Sequence, residues 1–424
     1  MNVLLLGSGG REHALAWKLR QSPLLEKLLI APGSDAMAEL GELHPLDILN
    51  GAAVAAFAKA HNVRLCVIGP EGPLAAGVAD SLREAGVAVF GPGKAGAQLE
   101  SSKGFSKQFM QRHGVATAKA QVFDAWDPAF GFAAGLGFPV VVKADGLAAG
   151  KGVFVAGNDR QLEDALNECF VKRVFGDAGT RVLVEEFMAG EEASLLCFCD
   201  GKNLVPMAGA QDHKRIHDGD LGPNTGGMGA YSPAPVLTDA VMAQVREKIL
   251  EPTLKGLKAD ALEFRGCLYV GLMITPQGPK VVEYNARFGD PETQVVVPRM
   301  YFDLLEVMLA CAQGRLDSVI LKWRDGAAAC VVMAAGGYPG PYEKGKPISG
   351  LDEAAQVPGA LIFHAGTQKN GGFVSSGGRV LGVCATGEGF SEAIRRAYEA
   401  TAKISFEGMQ FRKDIGHRAL GRVS

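Results

Sequence analysis

Residues 140–153 constrain this chain most, because two apolar runs there flank a loop of very small residues. Val140–Val142 predicts a buried strand that ends at Lys143, and Val153–Ala156 predicts a second strand. The loop between them has almost no side chains to keep an anion from the backbone N–H groups. The segment therefore predicts a hairpin that presents lysines and bare backbone donors to a polyphosphate. The loop residues expected to contact it are Gly146, Gly150, Lys151 and Gly152.

This hairpin is not a Walker loop. The spacing from Gly146 to Gly150 is too short, and Gly152 stands where Ser or Thr would hold magnesium. The loop also lies between two strands instead of opening a helix. A glycine loop between strands, with a lysine on the incoming strand, resembles the ATP-grasp superfamily. The alternative is a basic hairpin with no ligand.

Bulk properties exclude several classes of protein. A length of 424 residues indicates about three domains. The net charge of −3 and the lack of a long basic run argue against a nucleic-acid partner. No apolar run is long enough to span a membrane, and no signal-peptide pattern opens the chain. The eight cysteines form no CxxC pair, which favours a reduced, cytoplasmic protein. We expect a monomer or a weak homo-oligomer.

Residues 1–100 alternate strand and helix, with a single helix expected over Leu74–Glu84. This order predicts a Rossmann-like parallel sheet wound with helices. Ligands bind such sheets at the loops after the strands. Two of these loops carry candidate substrate-binding residues, which are Gly9, Gly10, Arg11 and Glu12 in the first and Gly69, Pro70 and Glu71 in another.

The first loop does not complete a dinucleotide-binding fingerprint. Gly7 and Gly9 fit the pattern, but Glu12 replaces its third glycine. The second strand is followed by Pro32 and Gly33 and lacks an acidic residue for a ribose. A glycine turn at a helix N-terminus beside Arg11 suits a monophosphate better than NAD. A plain tight turn is the alternative.

The remaining chain divides into two further blocks. Residues 101–325 form the second block, for which the resemblance to the ATP-grasp superfamily implies a two-part domain with a mobile lid at about 122–190. Residues 326–424 mix strands with a helix and predict a small α+β domain. The predicted fold class is therefore α/β and α+β.

Glu283 and Asn285 lie two residues apart on a predicted strand, so their side chains share a face. Carboxylate and amide oxygens suit magnesium, which often shares its ligands with phosphates. Arg287 continues the same alternation and would add a guanidinium to that wall. Without such neighbours, a Glu-x-Asn pair on a strand is usually structural.

Acidic and basic clusters supply the other candidates. Glu185 and Glu186 end a strand whose edge could read an adenine amino group, and Glu192 could accept bonds from a ribose. A solvated acidic edge is the alternative. The run from Asp212 to Arg215 precedes a glycine-dense loop, which favours an anion site over a surface helix turn. His213 and His217 lack a nearby third ligand, so zinc is not expected.

The ordered motifs identify a family. The chain resembles the glycinamide ribonucleotide synthetases over essentially its whole length. The matching segments are GGREHALAWKL at 9–19, KADGLAAGKGV at 143–153, QDHKR at 211–215, GPNTGGMGAYSPAP at 222–235, RFGDPETQ at 287–294, VVMAAGGYPG at 331–340 and RKDIGHRA at 412–419.

The resemblance implies a Rossmann-like N-terminal domain, a two-part ATP-grasp domain and a small C-terminal domain. It implies that ATP, glycine and 5-phosphoribosylamine give ADP, phosphate and glycinamide ribonucleotide, with Mg²⁺, or Mn²⁺ as a substitute, at Glu283 and Asn285. It places Lys103 and Lys143 at the phosphates, and Glu185, Phe187 and Glu192 at the adenosine. The residues expected around the other substrates and the reacting groups are the 7–13 and 69–71 loops, Asp212, Lys214, Gly226, Gly227, Met228, Gly229 and Arg287.

The chemistry explains why no nucleophile is expected. Phosphorylating the glycine carboxylate creates an acyl phosphate that an amine can attack, so the protein needs only to align substrates and neutralise charge. Two rivals remain, a biotin carboxylase-like enzyme and a non-catalytic nucleotide-binding regulator. The chain departs from the family at residues 34–37, where Ser-Asp-Ala-Met replaces Asn-Ala-Gly-Thr, and at Gly271, where many relatives carry an acidic metal ligand.

Overall fold

A computed structural model describes residues 1–146 and 152–423. In the first block, five strands alternate with helices that follow them along the chain. The strands are β1 (Asn2–Gly7), β2 (Lys27–Pro32), β3 (Glu42–Leu43), β4 (Val63–Ile68) and β5 (Ala88–Phe90). The helices are α1 (Gly10–Leu19), α2 (Gly51–Ala60), α3 (Glu71–Ala76), α4 (Val78–Glu84) and α5 (Lys94–Ser101).

The first block forms the expected parallel sheet, with strand order β3-β2-β1-β4-β5. One expected helix differs, because the segment over Leu74–Glu84 is divided between α3 and α4. Gly77 separates them with φ of 86°, a left-handed conformation that ends the first helix. Because β1 and β4 are neighbouring parallel strands, the loops that follow them meet at one edge of the sheet, as doubly wound topology requires.

Residues 101–186 form a separate small sheet. Its strands are β6 (Ala120–Phe123), β7 (Val140–Ala144), β8 (Val153–Ala156) and β9 (Val182–Glu186), and its helices are α6 (Lys103–Arg112), α7 (Trp126–Leu136) and α8 (Asp159–Leu166). The strands pair antiparallel in the order β6-β9-β7-β8. Lys143 lies opposite Val153, which is the hairpin that the sequence predicts. This sheet packs with α7 and α8 around its own apolar cluster, which includes Val142, Leu162 and Val184.

The stretch from residue 187 to 325 supplies eight strands and four helices. The strands are β10 (Glu191–Asp200), β11 (Leu204–Pro206), β12 (Gln211–Asp212), β13 (Arg215–His217), β14 (Leu221–Asn224), β15 (Gly229–Ser232), β16 (Arg265–Thr275) and β17 (Gly278–Asn285). The helices are α9 (Asp239–Val245), α10 (Glu251–Ala259), α11 (Thr293–Val296) and α12 (Leu304–Gln313). Strands β11-β10-β16-β17 form an antiparallel central sheet, which brings Glu283 and Asn285 to an edge strand.

The last block contains β18 (Ala327–Ala334), β19 (Ala360–His364), β20 (Thr367–Lys369), β21 (Phe373–Ser375), β22 (Arg379–Gly387), α13 (Leu351–Ala355), α14 (Phe390–Thr401) and α15 (His417–Val423). Its main sheet has the order β12-β15-β18-β22-β19. Two strands that precede residue 325 therefore belong to the sheet of the last block. This pairing draws the segment from Gln211 to Ser232 across to the C-terminal part of the molecule.

The core joins the blocks. One apolar cluster includes Leu4 and Leu6 of β1 together with Val270 and Val281 of the central sheet. All eight cysteines are buried and unpaired. Within the described residues, no helix is both long and apolar enough to cross a membrane.

Candidate active site

A cavity of about 830 Å³ lies where the first block, the small sheet, the central sheet and the C-terminal sheet meet. Twelve residues that the sequence singles out contribute to its lining. They are Arg11, Glu71, Lys103, Lys143, Gly152, Glu192, Asp212, Lys214, Gly226, Glu283, Asn285 and Arg287. Residues that lie more than two hundred positions apart in the chain thus converge on one space.

Other predicted residues lie outside this lining. They are Gly9, Gly10, Glu12, Gly69, Pro70, Gly146, Glu185, Glu186, Phe187, Gly227, Met228 and Gly229. Gly150 and Lys151 fall outside the described residues. The Glu186 carboxylate pairs with Lys280 at 2.9 Å.

We call one part of the cavity the lysine end, formed by Lys103, Lys107, Lys143, Glu283 and Asn285. Lys103 is the first residue of α6, which Ser102 caps by accepting a bond from the Phe105 N–H. Its ammonium donates to the carbonyl oxygens of Ala144 and Gly146, both at 2.9 Å. Burial lowers the pKa of Lys103.

Glu185 lies between two lysines of this end. Its Oε2 is 2.9 Å from the Lys107 ammonium, and its Oε1 pairs with Lys143. Burial alone would raise the pKa of Glu185, but the two ammonium groups outweigh burial and lower it. Burial also opposes the charge of Lys143, whose pKa is nevertheless raised by Glu185 and Glu283. The carboxylate expected at an adenine thus faces lysines, because β9 pairs beside β7 and turns Glu185 inward.

The side-chain oxygens of Glu283 and Asn285, the ligands predicted for magnesium, have few hydrogen-bond partners among the described residues. The Glu283 carboxylate forms no hydrogen bond or ion pair with any of the residues described, and Asn285 Oδ1 accepts one long bond of 3.4 Å from Arg287. Gly271 lies directly opposite Glu283 across the central sheet, so no side chain approaches from that position. Within residues 1–146 and 152–423, no three His, Cys, Asp or Glu residues are grouped as a metal site would require.

Arg287 belongs to a second part of the cavity, the arginine end, which it forms with Arg11 and Arg379. It does not continue the strand as predicted, because β17 ends at Asn285 and the chain bends there. Its Nη2 lies 2.7 Å from Glu100 Oε1, and its Nε lies 3.5 Å from Glu71 Oε2. Burial disfavours its charge, but these carboxylates raise its pKa.

Arg379 reaches the arginine end from the start of β22. Its Nη1 donates to the carbonyl oxygens of Gly226 and Asp290, each at 2.8 Å, and lies 3.4 Å from Asp290 Oδ1. Burial opposes ionisation of Asp290, yet Arg379 and Arg11 lower its pKa. The guanidinium thus ties the glycine-dense loop to the segment after β17.

Lys214 lies between the two ends. The run that carries it follows β12 and leads into β13, so the helix-turn alternative for residues 212–215 is wrong. The Lys214 ammonium is 3.0 Å from Asp212 Oδ2 and 3.7 Å from Glu192 Oε2. Burial opposes its charge, but Asp212 raises the pKa of Lys214. Burial raises the pKa of Glu192.

Several residues of the lining were not predicted as site residues. They include Glu100, Lys107, Tyr269, Asp290, Glu292, Tyr338 and Arg379. Asp290, Glu292 and Tyr338 lie within matched motifs, which is a signal that could have found them. No local sequence pattern marks Arg379, because only the pairing of β22 within the C-terminal sheet brings it to the cavity.

A small antiparallel sheet that closes over a central antiparallel sheet, with lysines and a Glu-x-Asn pair between them, defines the ATP-grasp class of ATP-dependent enzymes. Three models of the phosphoribosylglycinamide synthetase family match in order: its N domain at residues 1–100, its ATP-grasp (A) domain at 101–293 and its C domain at 328–418. The chain belongs to the phosphoribosylglycinamide synthetase family, as its motifs predict.

Similar proteins agree with this membership. A phosphoribosylamine–glycine ligase of Agrobacterium fabrum is 52% identical, over 100% of this chain and 99% of its own. One from Yersinia pestis is 49% identical over the full length of both chains. The crystal structure of the Thermotoga maritima phosphoribosylamine–glycine ligase superposes with a TM-score of 0.85 at 34% identity, covering 98% of this chain and 100% of that chain.

A biotin carboxylase domain from Hydrogenobacter thermophilus, solved with MgADP, ADP and bicarbonate, has a TM-score of 0.72 at 17% identity. The match covers 97% of this chain and 91% of that one. At this identity the likeness shows a shared fold.

Proposed function

We propose that this chain ligates glycine to 5-phosphoribosylamine in purine biosynthesis and converts ATP to ADP and phosphate through a glycyl phosphate. The observation that carries this proposal is that one cavity holds lysines with Glu283 and Asn285 at one end and arginines at the other. Its described lining contains neither cysteine nor histidine. Such a lining suits a reaction that needs charge neutralisation and alignment rather than a protein nucleophile.

ATP occupies the lysine end. Lys103 and Lys143 face its phosphates, and Gly146, Gly150, Lys151 and Gly152 are the loop residues proposed to contact them. Glu185, Glu186, Phe187 and Glu192 lie around the adenosine. The Glu185 carboxylate acts here by holding Lys143 and Lys107 in place, while the adjoining backbone meets the base.

Glu283 and Asn285 would hold Mg²⁺, or Mn²⁺, which accepts the same oxygen ligands. They fit such an ion, because both are oxygen donors whose acceptor capacity is almost unused among the described residues. The ion would neutralise phosphate charge during phosphoryl transfer.

The proposed reaction has two steps, phosphorylation of glycine and attack by the amine. A glycine carboxylate oxygen attacks the γ-phosphorus, so that a P–O bond to glycine forms as the P–O bond to ADP breaks. The amine of phosphoribosylamine then attacks the acyl carbon. A C–N bond forms, the C–O bond to phosphate breaks, and the nitrogen loses a proton. Lys143 and Arg287 stabilise the negative charge that moves across the cavity.

Asp212 and Lys214 suit glycine itself. Glycine is a zwitterion at neutral pH, and the two side chains present opposite charges 3.0 Å apart. The Asp212 carboxylate matches its ammonium group and the Lys214 ammonium matches its carboxylate. Gly226 lines the same part of the cavity, and Gly227, Met228 and Gly229 lie behind it in the loop that Arg379 holds.

Phosphoribosylamine occupies the arginine end. Arg11 and Arg287 contact its phosphate. Glu71, which follows the Gly69–Pro70 turn, accepts hydrogen bonds from the ribose hydroxyls. Guanidinium groups recognise phosphate through two parallel N–H bonds, which favours this end for the 5′-phosphate.

The proposed protein has three domains and no macromolecular partner. The domains are 1–100, 101–325 with a lid at about 122–190, and 326–424. The protein acts in the cytoplasm as a monomer or weak homo-oligomer, with small molecules as its partners. Light scattering of the purified protein tests the oligomeric state.

Nucleotide release measured with glycine and phosphoribosylamine tests the reaction. ADP and phosphate should appear only when both acceptor substrates are present. Chromatography that showed stoichiometric AMP and pyrophosphate would overturn the acyl-phosphate route, and bicarbonate-dependent ADP release would favour a carboxylase instead.

A further inference from the structure

The first glycine turn is already filled by the protein's own carboxylate. Glu12 is the third residue of α1, and its side chain folds back over the helix N-terminus. Its Oε2 accepts the Gly9 N–H at 2.8 Å, and its Oε1 lies 2.6 Å from Arg11 Nε. Glu12 is 2% exposed. A carboxylate in this position satisfies backbone donors that a bound anion would otherwise meet.

The glycines around Glu12 are required by its side chain. A Cβ built on Gly7 or on Gly69 would overlap the Glu12 side chain, and one on Gly9 would lie 3.0 Å from Oε2. These glycines come from the ends of β1 and β4, the neighbouring strands whose loops form a phosphate cradle in dinucleotide-binding folds. The recess remains, but a side chain of the same chain takes the place of the phosphate.

Glu12 also fixes Arg11. The Arg11 Nε is held by Glu12, and its Nη1 donates to the Phe288 carbonyl at 3.1 Å. A guanidinium has five N–H donors, and two of them are used among the described residues. Arg11 is 7% exposed and still lines the cavity. Arg11 thus keeps unused N–H donors while it lines the cavity.

We propose that Glu12 is a positioning residue, which occupies the anion recess of the Gly7–Gly10 turn and presents Arg11 to the acceptor substrate. The acceptor phosphate is excluded from the turn and meets Arg11 from the cavity. This assignment rests on the proposed function only in naming phosphoribosylamine as the acceptor. It changes the role expected for Glu12, Gly9 and Gly10 from direct substrate contact to support.

A double-mutant cycle tests the positioning role. Glu12→Gln preserves shape but loses the charge that holds Arg11 Nε, so the KM for phosphoribosylamine should rise by about threefold, less than in Arg11→Ala, while the KM for ATP stays unchanged. In an Arg11→Ala background, Glu12→Gln should add little. Equal effects in both backgrounds would show that Glu12 acts through general stability, and would overturn the proposal. Glu84→Gln, at an exposed position of α4, is the matched control.

A second experiment does not depend on turnover. Glu12→Ala should open the recess, so millimolar formate should raise the melting temperature of this variant but not of the wild type. If formate stabilises neither protein or both equally, the recess is not an anion site filled by Glu12. Should Glu12→Ala fail to fold, the cycle with the near-isosteric glutamine still decides. Failure of the proposed function would instead appear as an inactive wild type.

Discussion

The two ends of the cavity present cations of different chemistry. At the lysine end, the ammonium groups come from α6 and β7, and Glu185 of β9 joins two of them. At the arginine end, Arg11, Arg287 and Arg379 come from three separate blocks, and each is tied to a carboxylate and a carbonyl. A lysine is a point charge on a flexible stem, whereas a guanidinium is a planar fork.

The difference indicates how each end meets its ligand. Lys143 lies in the small sheet, which has its own apolar cluster, so this end depends on how that sheet sits over the rest of the molecule. The arginines join segments of different blocks through ion pairs and carbonyl contacts. The position of the lysine end thus depends on one small sheet, whereas the position of the arginine end depends on contacts among three blocks.

The largest expected effect is at the lysine end. Lys143→Ala should lower kcat by about 10²–10³-fold, because a preorganised cation at the transferring phosphoryl group is lost. Steady-state kinetics and a cooperative thermal melt measure catalysis and folding separately. Lys255→Ala, at an exposed site of α10, is the control. A folded Lys143→Ala variant with wild-type kcat would show that the phosphates bind elsewhere.

Arg287→Lys tests whether the planar guanidinium group, rather than positive charge alone, is needed at the arginine end. The charge remains, but the simultaneous contacts with Glu100 and Glu71 are lost. We expect kcat/KM for phosphoribosylamine to fall by about 10–100-fold, with the KM for ATP little changed. The exposed Arg395→Lys is the matched control. Wild-type kinetics would mean that charge alone suffices and that the contrast between the ends is wrong.

Glu283→Gln should raise the Mg²⁺ concentration for half-maximal activity by about tenfold, because a charged ligand becomes neutral. The measurement is a magnesium titration at saturating ATP, with the exposed Glu247→Gln as control. An unchanged titration in the folded variant would remove Glu283 from the metal site.

Arg11→Ala should raise the KM for phosphoribosylamine by about five- to tenfold, because one charged hydrogen-bond donor is removed. The KM values for ATP and glycine should stay close to those of the wild type. A comparable rise in the KM for ATP would show that the first loop contacts the nucleotide. The two ends would then not bind separate substrates.

The smallest effect is on pH dependence. Burial lowers the pKa values of Lys103 and Lys107, so these lysines lose charge at a lower pH than ordinary lysines. Binding of a non-hydrolysable ATP analogue should weaken as pH rises toward the ordinary pKa of lysine, and the weakening should begin at a lower pH than unperturbed lysines would give. Calorimetry from about pH 7 to about pH 10 measures this, and Lys103→Arg should flatten the curve, since arginine stays charged. An identical pH profile for Lys103→Arg would contradict it.

Much of the local structure follows from short patterns. The alternation of strand and helix up to Phe90 predicts the parallel sheet, and the two strands predicted on either side of the small-residue loop pair as a hairpin. The division at Gly77 was missed, because a glycine inside an apolar helical pattern does not reveal its sign of φ. The roles of the site residues stay predictions until the variants are measured.

Residue chemistry and order along the chain thus determined the fold class, the family, the hairpin with its lysine and the oxygen pair on β17. Tertiary structure decided which charges meet. Glu185 turns to two lysines, Glu12 fills a recess that its glycines leave open, and Arg379 crosses to Asp290. These outcomes depend on partners far apart in the chain, and a buried charge takes whichever partner the packing of sheets brings within reach.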